Sequence, residues 1–238
     1  MTDFAKLPQY ASYVARDPFR HGLQFPAVMD GVGSLKKRIL DVGTGDGLFP
    51  RLMARAGASV VGYDKATEKI AEAKAHWEAQ ELDVTYMVAT PQTFAVHGKF
   101  DAATSVMALP YASDFDDLRA FFRNTSRHLP IGGKFVSTVL DSRFSAFERN
   151  LVVRRARKLD GNLVQMEFLN EVSGVVEMKT IAHQYSQEEY ESAVVQEGMK
   201  CEWKKLFAQP EAVRQKGEEF WRPCHEAQLY ALLVAQNK

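Results

Sequence analysis

"ILDVGTGDGLF", Ile39 to Phe49, decides how this chain reads. Ile-Leu-Asp-Val is apolar apart from one aspartate and suits a strand buried on both faces. Three glycines, Gly43, Gly45 and Gly47, follow at alternate positions. Glycine enters left-handed backbone without steric cost and lets a ligand approach the main chain, so the segment reads as a tight turn. Leu48 and Phe49 then open a helix. A strand, a glycine turn and a helix N-terminus in succession make a cradle for a nucleotide-like ligand.

Outward from this segment, strands alternate with helices. Strands are predicted at 38–42, 59–63 ("SVVGY"), 84–88, 100–107 and 132–140 ("GGKFVSTVL"). Helices are predicted at 47–56, 66–80 and 115–129, with Ile70, Ala73 and Trp77 at helical spacing in the second. This alternation specifies a parallel sheet covered by helices on both faces. Residues 1–37 read as helical, broken near Pro8, Pro18 and Pro26. After Asp141 the pattern changes. Residues 142–160 read as helix, and 163–169 and 175–185 as a hairpin around Asn170–Gly174. Ser186 with Glu189 makes a capping box for a helix to Gly198. Strands at 201–207 and 228–236 flank a mostly helical 210–227.

The glycine spacing is G-x-G-x-G rather than the dinucleotide G-x-G-x-x-G, and no Gly-Lys-Ser/Thr follows to make a P-loop. Asp41 stands two residues before the first glycine. A carboxylate there disfavours a pyrophosphate and suits a cationic ammonium. "VVGYD" ends the second strand with Asp64, 17 residues after Gly47, where a carboxylate accepts from both hydroxyls of a ribose.

"ILDVGTGDG" and "VVGYD" together resemble the class I S-adenosylmethionine-dependent methyltransferases, well over residues 36–140 and loosely beyond. The resemblance implies a Rossmann-like, doubly wound, mostly parallel seven-stranded sheet with an antiparallel last strand and a small cap insertion. It implies a helical lid at 1–37, a cofactor-binding core at 38–141, a cap at 142–185 and the rest of the core at 186–238. It implies S-adenosylmethionine as cofactor, with Gly43, Thr44 and Gly45 at the methionine end, Asp41 on the ammonium, Asp64 on the ribose and Lys65 along the adenine. Tyr13 and Arg20 are expected over the cofactor, and Ser105 and Val106 beside its methionine portion.

Two places depart from the family pattern. After the third strand, "MVATPQTF" puts Thr90 where an aspartate usually accepts from the adenine amino group, with Pro91 and Gln92 beside it; Gln92 is the alternative acceptor. After the fourth strand, "ALPY" (108–111) lacks the acceptor of the Asn/Asp-Pro-Pro-Tyr motif of nucleic-acid methyltransferases, so Tyr111 reads as a pocket aromatic. In the cap, Arg143, Phe144, Phe147, Met166, Phe168, His183 and Tyr185 suit a flat or apolar small molecule. Of these, Arg143, Phe168 and His183, with Tyr111 and Trp221, are the substrate candidates. "EEFWRPCHEAQ" (218–228), together with 183–199, loosely resembles toxoflavin-type small-molecule N-methyltransferases. His183 and His225 are the candidate bases for an acceptor that must lose a proton. No metal site is read: Asp114, Asp116 and Asp117 fit an acidic helix N-terminus.

The whole chain agrees with this reading. It has 238 residues, 46% apolar and 25% charged, as in an ordinary globular protein. Lys+Arg and Asp+Glu are 30 each, so no net charge provides a nucleic-acid footprint. The basic cluster Arg154, Arg155, Arg157 and Lys158 reads as a solvated helix face. Cys201 and Cys224 read as reduced thiols. No signal-peptide pattern and no membrane-length apolar run is present, which predicts a cytoplasmic enzyme acting on a small molecule, without nucleic-acid or membrane partners. The competing expectation is a catalytically inactive homologue that binds S-adenosylmethionine as a sensor or partner subunit.

Overall fold

The computed structural model describes residues 9–78, 81–144 and 149–238. Its centre is a seven-stranded sheet of β1 (Arg38–Val42), β2 (Ser59–Asp64), β3 (Val84–Val88), β4 (Ala102–Val106), β5 (Lys134–Leu140), β10 (Met199–Lys205) and β11 (Tyr230–Asn237). The spatial order is β10-β11-β5-β4-β1-β2-β3. β11 runs antiparallel to both its neighbours, and the pairings among β1–β5 are parallel. The chain builds outward from β1 through β2 to β3, then returns to place β4 on the other side of β1. That reversal opens a crevice at the carboxyl ends of β1 and β4, where ligands bind in such sheets.

The strands read as continuous apolar runs because both faces are covered. Ile39, Val136, Leu232 and Val234 enter one core; Leu40, Phe135, Leu233 and Ala235 enter the other. On the first face lie α2 (Phe25–Val32), α3 (Leu48–Arg55) and α4 (Thr67–Glu78), contributing Val28, Met53 and Ile70. On the second lie α5 (Phe115–His128) and α6 (Gln187–Gln196), contributing Phe122 and Val194. The capping box before α6 is present in both halves: Glu189 N–H donates to Ser186 Oγ at 3.1 Å, and Ser186 N–H donates to Glu189 Oε2 at 2.6 Å. α7 (Pro210–Lys216) and α8 (Glu218–Ala227) precede β11.

Two expectations are corrected. Residues 142–160 are not helical where described. β6 (Arg149–Asn150) and β7 (Arg154–Lys158) join β8 (Leu163–Leu169) and β9 (Val176–His183) in an antiparallel four-stranded cap sheet. The strand was disguised because one of its inward positions carries an arginine. Arg154 is 1% exposed and its neighbours Arg155 and Arg157 turn outward. The basic cluster is therefore no solvated helix face. Arg154 is tolerated inside because its guanidinium donates to Asp17 Oδ2, the Tyr13 hydroxyl and Val153 O, and stacks on Phe168 at 4.4 Å. Asp17 and Tyr13 come from the N-terminal segment, so this ion pair fastens the cap to it.

The second correction is Pro26, which does not break the helix. Arg20–Gln24 form one π-helical turn that runs directly into α2, with Pro26 in the first turn of α2. Pro26 has no N–H to give the Gly22 carbonyl. That carbonyl accepts instead from Gln209 N–H at 2.8 Å, which docks the start of α7. α1 (Tyr10–Val14) precedes this segment. Pro8 and Phe147 lie outside the described residues.

Candidate functional site

A cavity of about 690 Å³ opens at the carboxyl ends of β1, β2 and β4. Its floor is the glycine turn. Gly43, Gly45 and Gly47 all take left-handed backbone, with φ of 72°, 57° and 74°. A β-carbon on Gly43 would sit 2.3 Å from Ala108 Cβ, so only glycine lets β1 turn beneath the loop after β4. Gly43 and Thr44 N–H donate to Tyr63 O at 2.9 and 3.0 Å, which ties the turn to β2. Gly45 N–H donates to Asp64 Oδ2, and Ala66 N–H to Asp64 Oδ1, each at 2.9 Å. The Asp64 carboxylate is thus held by two backbone amides and keeps lone pairs on both oxygens. Burial raises its pKa above the usual carboxylate value, against those two hydrogen bonds.

Arg20 and Tyr111 bound a second wall. Arg20 donates from Nη1 to Val106 O at 3.1 Å, reaching from the π-helical turn to the end of β4. Met107 follows in the left-handed region, φ 63°, which costs a side-chain-bearing residue about 1 kcal/mol. Tyr111 OH donates to Thr180 Oγ1 of β9 at 3.1 Å, so the cap sheet meets the cavity wall. Tyr10 also lines this side, with Lys69 Nζ 5.3 Å from its ring centroid. Burial raises the hydroxyl pKa values of Tyr10, Tyr63 and Tyr111, so all three keep their protons at neutral pH.

The third wall comprises Thr90, Pro91, Gln92, Asp117 and Phe121. The Thr90 hydroxyl lies 3.2 Å from that of Thr93, and Thr90 N–H donates to Thr93 Oγ1 at 2.9 Å. Gln92 Nε2 donates to Asp117 Oδ1 at 2.7 Å.

Of the residues singled out from sequence, Arg20, Gly43, Gly45, Asp64, Lys65, Thr90, Pro91, Gln92, Val106 and Tyr111 line this cavity. The others lie elsewhere. Tyr13 is buried against Arg154 and Phe168, one helical turn past Tyr10. Asp41 is 2% exposed within the sheet and accepts from Thr104 Oγ1 at 2.7 Å; burial pushes its carboxyl up to about 6. Thr44 packs against Gly62, whose β-carbon would meet Thr44 Oγ1 at 2.6 Å. Ser105 is fully buried beside Val106. Arg143 forms a bidentate pair with Asp141 at 2.9 and 2.6 Å. Phe168 serves the Arg154 cluster. His183 shares a hydrogen bond of 2.9 Å with Asn162 Oδ1 and stacks on Tyr185. Trp221 is buried, with its Nε1 donating to Ala212 O at 3.1 Å. His225 Nε2 accepts from Ala208 N–H at 3.0 Å, and burial lowers its pKa.

Sequence reasoning missed Tyr10, Lys69, Met107, Asp117 and Phe121. Helical spacing relates two of them: Phe121 stands one turn after Asp117 on α5.

Residues 39–133 match the family model described as a methyltransferase domain. Over this segment the chain resembles the class I S-adenosylmethionine-dependent methyltransferases. It is 36% identical over 116 residues to a ubiquinone biosynthesis O-methyltransferase of Brucella anthropi, and 34% identical over 103 residues to that of Pelagibacter ubique. These matches cover 48% and 43% of this chain but only 44% and 42% of the relatives, less than half their length. The methyltransferase fold extends further than the sequence match. DesVI of Streptomyces venezuelae aligns over 100% of both chains, with a TM-score of 0.66 at 18% identity. A calicheamicin-biosynthesis amino pentose methyltransferase from Micromonospora echinaspora aligns over 96% of this chain and 94% of its own, with a TM-score of 0.64 at 19% identity. The resemblance read from "ILDVGTGDG" and "VVGYD" is thereby borne out, as are the doubly wound fold and its reversed last strand. Among the described residues, no helix of this chain is long and apolar enough to cross a membrane.

Proposed function

We propose that this chain transfers a methyl group from S-adenosylmethionine to a small molecule, at nitrogen or oxygen, by in-line displacement. The observation that carries the proposal is the Asp64 carboxylate, clamped by Gly45 and Ala66 N–H at the end of β2 and lining a 690 Å³ cavity that Arg20 also enters. A vicinal diol fits the lone pairs that the clamp leaves. When bound, the cofactor supplies a methyl group already activated on a positively charged sulfur.

The residues present fit that group from end to end. Asp64 accepts from the ribose hydroxyls, and Gly43 and Gly45 let backbone approach the methionine end. Arg20 lies where a carboxylate needs a cation. The buried Asp41 sets a negative field behind the turn that favours an ammonium. Lys65 and the 90–92 loop flank the adenine. Tyr111, held by the cap through Thr180, borders the space left for the acceptor, with Met107 and Ala108. In this reading residues 1–37 are a lid, 38–141 the cofactor core, 142–185 a cap and 186–238 the rest of the core.

Among the described cavity-lining residues there is no histidine, and His183 and His225 are committed to structural bonds. A neutral amine acceptor attacks with its nitrogen lone pair and passes its proton to solvent after transfer, so it needs neither histidine. A hydroxyl acceptor must lose its proton, for which Tyr10, Tyr111 and Asp117 are ionisable groups at hand. Positioning and desolvation supply the acceleration. The named relatives act in ubiquinone biosynthesis and on amino sugars, which supports a small-molecule acceptor.

One observation favours a second reading, a homologue that binds the cofactor without catalysis: the Thr90 hydroxyl is turned onto Thr93 and does not replace a loop carboxylate. Calorimetry with S-adenosylhomocysteine, followed by transfer of labelled methyl to a panel of amines and phenols, separates the two. Binding without turnover of any acceptor selects the second; no binding defeats both.

A further inference from the structure

Thr90 leaves open which group reads the purine. The third wall supplies an answer in the pair Gln92 and Asp117. A glutamine side chain can present either of two faces, because exchanging its carbonyl and amino groups changes its shape little. At Gln92 that freedom is removed. Its Nε2 donates to Asp117 Oδ1 at 2.7 Å. An ionised carboxylate only accepts, so the reversed amide would set carbonyl oxygen against carboxylate oxygen.

Asp117 is itself fixed. Its Oδ2 accepts from Ser113 N–H at 2.8 Å and from Ser113 Oγ at 3.2 Å, and its own N–H donates to the α5 N-cap Asp114 at 2.8 Å. Two bonds from Ser113 thus hold the carboxylate, and the backbone bond to Asp114 anchors the residue at the start of a helix, where the helix dipole also favours negative charge.

After one N–H goes to Asp117, Gln92 keeps its carbonyl oxygen and one further N–H. An acceptor and a donor then remain on a side chain that lines the cavity. A 6-aminopurine offers the complement: an exocyclic amino donor beside an accepting ring nitrogen. A 6-oxopurine offers the reverse, an accepting carbonyl beside a ring N–H.

We propose that Asp117 locks the Gln92 amide so that the cavity selects a 6-aminopurine over a 6-oxopurine. Gln92 is the reading residue and Asp117 a positioning residue acting through it. The inference rests on the reading that the cavity takes an adenosyl cofactor. It places the selecting charge on α5 rather than in the loop after β3.

The probes are S-adenosylhomocysteine and its deaminated analogue S-inosylhomocysteine, titrated calorimetrically into the full chain. The wild type is expected to bind the adenosyl compound about ten- to a hundredfold more tightly, the range for a matched two-point contact against a mismatched one. Asp117→Asn makes a sharper test. Ser113 N–H still needs an acceptor, so the asparagine carbonyl takes that place and its amino group turns to Gln92. Gln92 then reverses its amide. The preference should narrow by at least about tenfold, to equality or past it. Gln92→Ala should remove the preference, by weakening the adenosyl compound and relieving the mismatch with the inosyl one. Both side chains sit at the cavity rim, and unchanged thermal unfolding verifies the fold of each variant. Equal binding of the two probes by the wild type overturns this inference alone, as does an undiminished preference in either variant. Failure of the wild type to bind either probe overturns the cofactor reading with it.

Discussion

Asp41→Asn should make this protein more stable and less able to bind its cofactor. Asp41 is 2% exposed in the middle of β1, opposite Gly62 of β2 and Thr104 of β4. Burial is the main cause that pushes its carboxyl from 3.8 up to about 6; the Thr104 hydroxyl opposes the shift. The folded chain therefore binds this proton more tightly than the unfolded chain does. The resulting stability is complete below pH 3.8 and is lost as pH rises through about 6. By pH 7.5 the difference amounts to about 3 kcal/mol. Asparagine keeps the acceptor for Thr104 and carries no charge to desolvate. Its amino group must find a partner where the second oxygen was, which reduces the gain, so the variant should exceed the wild type by about 1–3 kcal/mol at pH 7.5. At pH 4.5 most of that gain should vanish. Urea unfolding at the two pH values measures it, with equal m-values as the check that the unfolded states match. A variant less stable at pH 7.5, or one whose gain does not depend on pH, refutes the reasoning. The same variant should bind S-adenosylmethionine more weakly, since the negative field behind the glycine turn is gone, and stability given up for a site is a common exchange.

Asp64→Ala should raise the dissociation constant of S-adenosylhomocysteine by about 1.5–3 kcal/mol, a loss of about ten- to a hundredfold, while thermal unfolding still reports a folded chain. An unchanged constant in calorimetry removes Asp64 from the site. Arg154→Met leaves Asp17 charged and buried without its partner and should cost about 3–5 kcal/mol in urea unfolding. Adding Asp17→Asn should recover most of that, and strictly additive effects in the double variant would show that the pair is not coupled. Fluorescence titration with oligonucleotides should show no micromolar, salt-dependent binding; a steep salt slope would count displaced phosphate counterions and reveal a nucleic-acid surface.

Much of the cofactor half was legible because its constraints are local. A strand buried on both faces must be largely apolar, and β1, β2, β4 and β5 are, while β3 at the sheet edge exposes Thr85 and Val88. A turn with three left-handed residues must use glycine, and Gly43, Gly45 and Gly47 stand where φ demands it. Asp64 could be found because it closes an apolar strand at a set distance from that turn. What was hidden depends on partners distant in sequence. β7 read as helix because Arg154 occupies an inward position, and only Asp17 and Tyr13, more than a hundred residues earlier, make that position habitable. Tyr13 and Tyr10 lie one turn apart on the same short helix, and nothing local says which faces the cavity. Asp117 read as a helix-terminal acid, which it also is; its bond to Gln92 spans 25 residues and two elements.

The single π-helical turn before Pro26 sets a rotational phase. An α-helix advances about 100° per residue, and a π turn accommodates one residue more than an α turn would. Removing one residue between Arg20 and Gln24 would restore regular winding and swing everything before it by that angle. Arg20 would leave the Val106 carbonyl and Asp17 would leave Arg154, while α2 stayed packed on the sheet. One inserted residue thus keeps two side chains, the Arg20 guanidinium in the cavity wall and the Asp17 carboxylate under the cap, in step with a helix packed on the sheet. The Gly22 carbonyl, released by Pro26 and claimed by Gln209, is the pin that holds this phase from the opposite end of the chain.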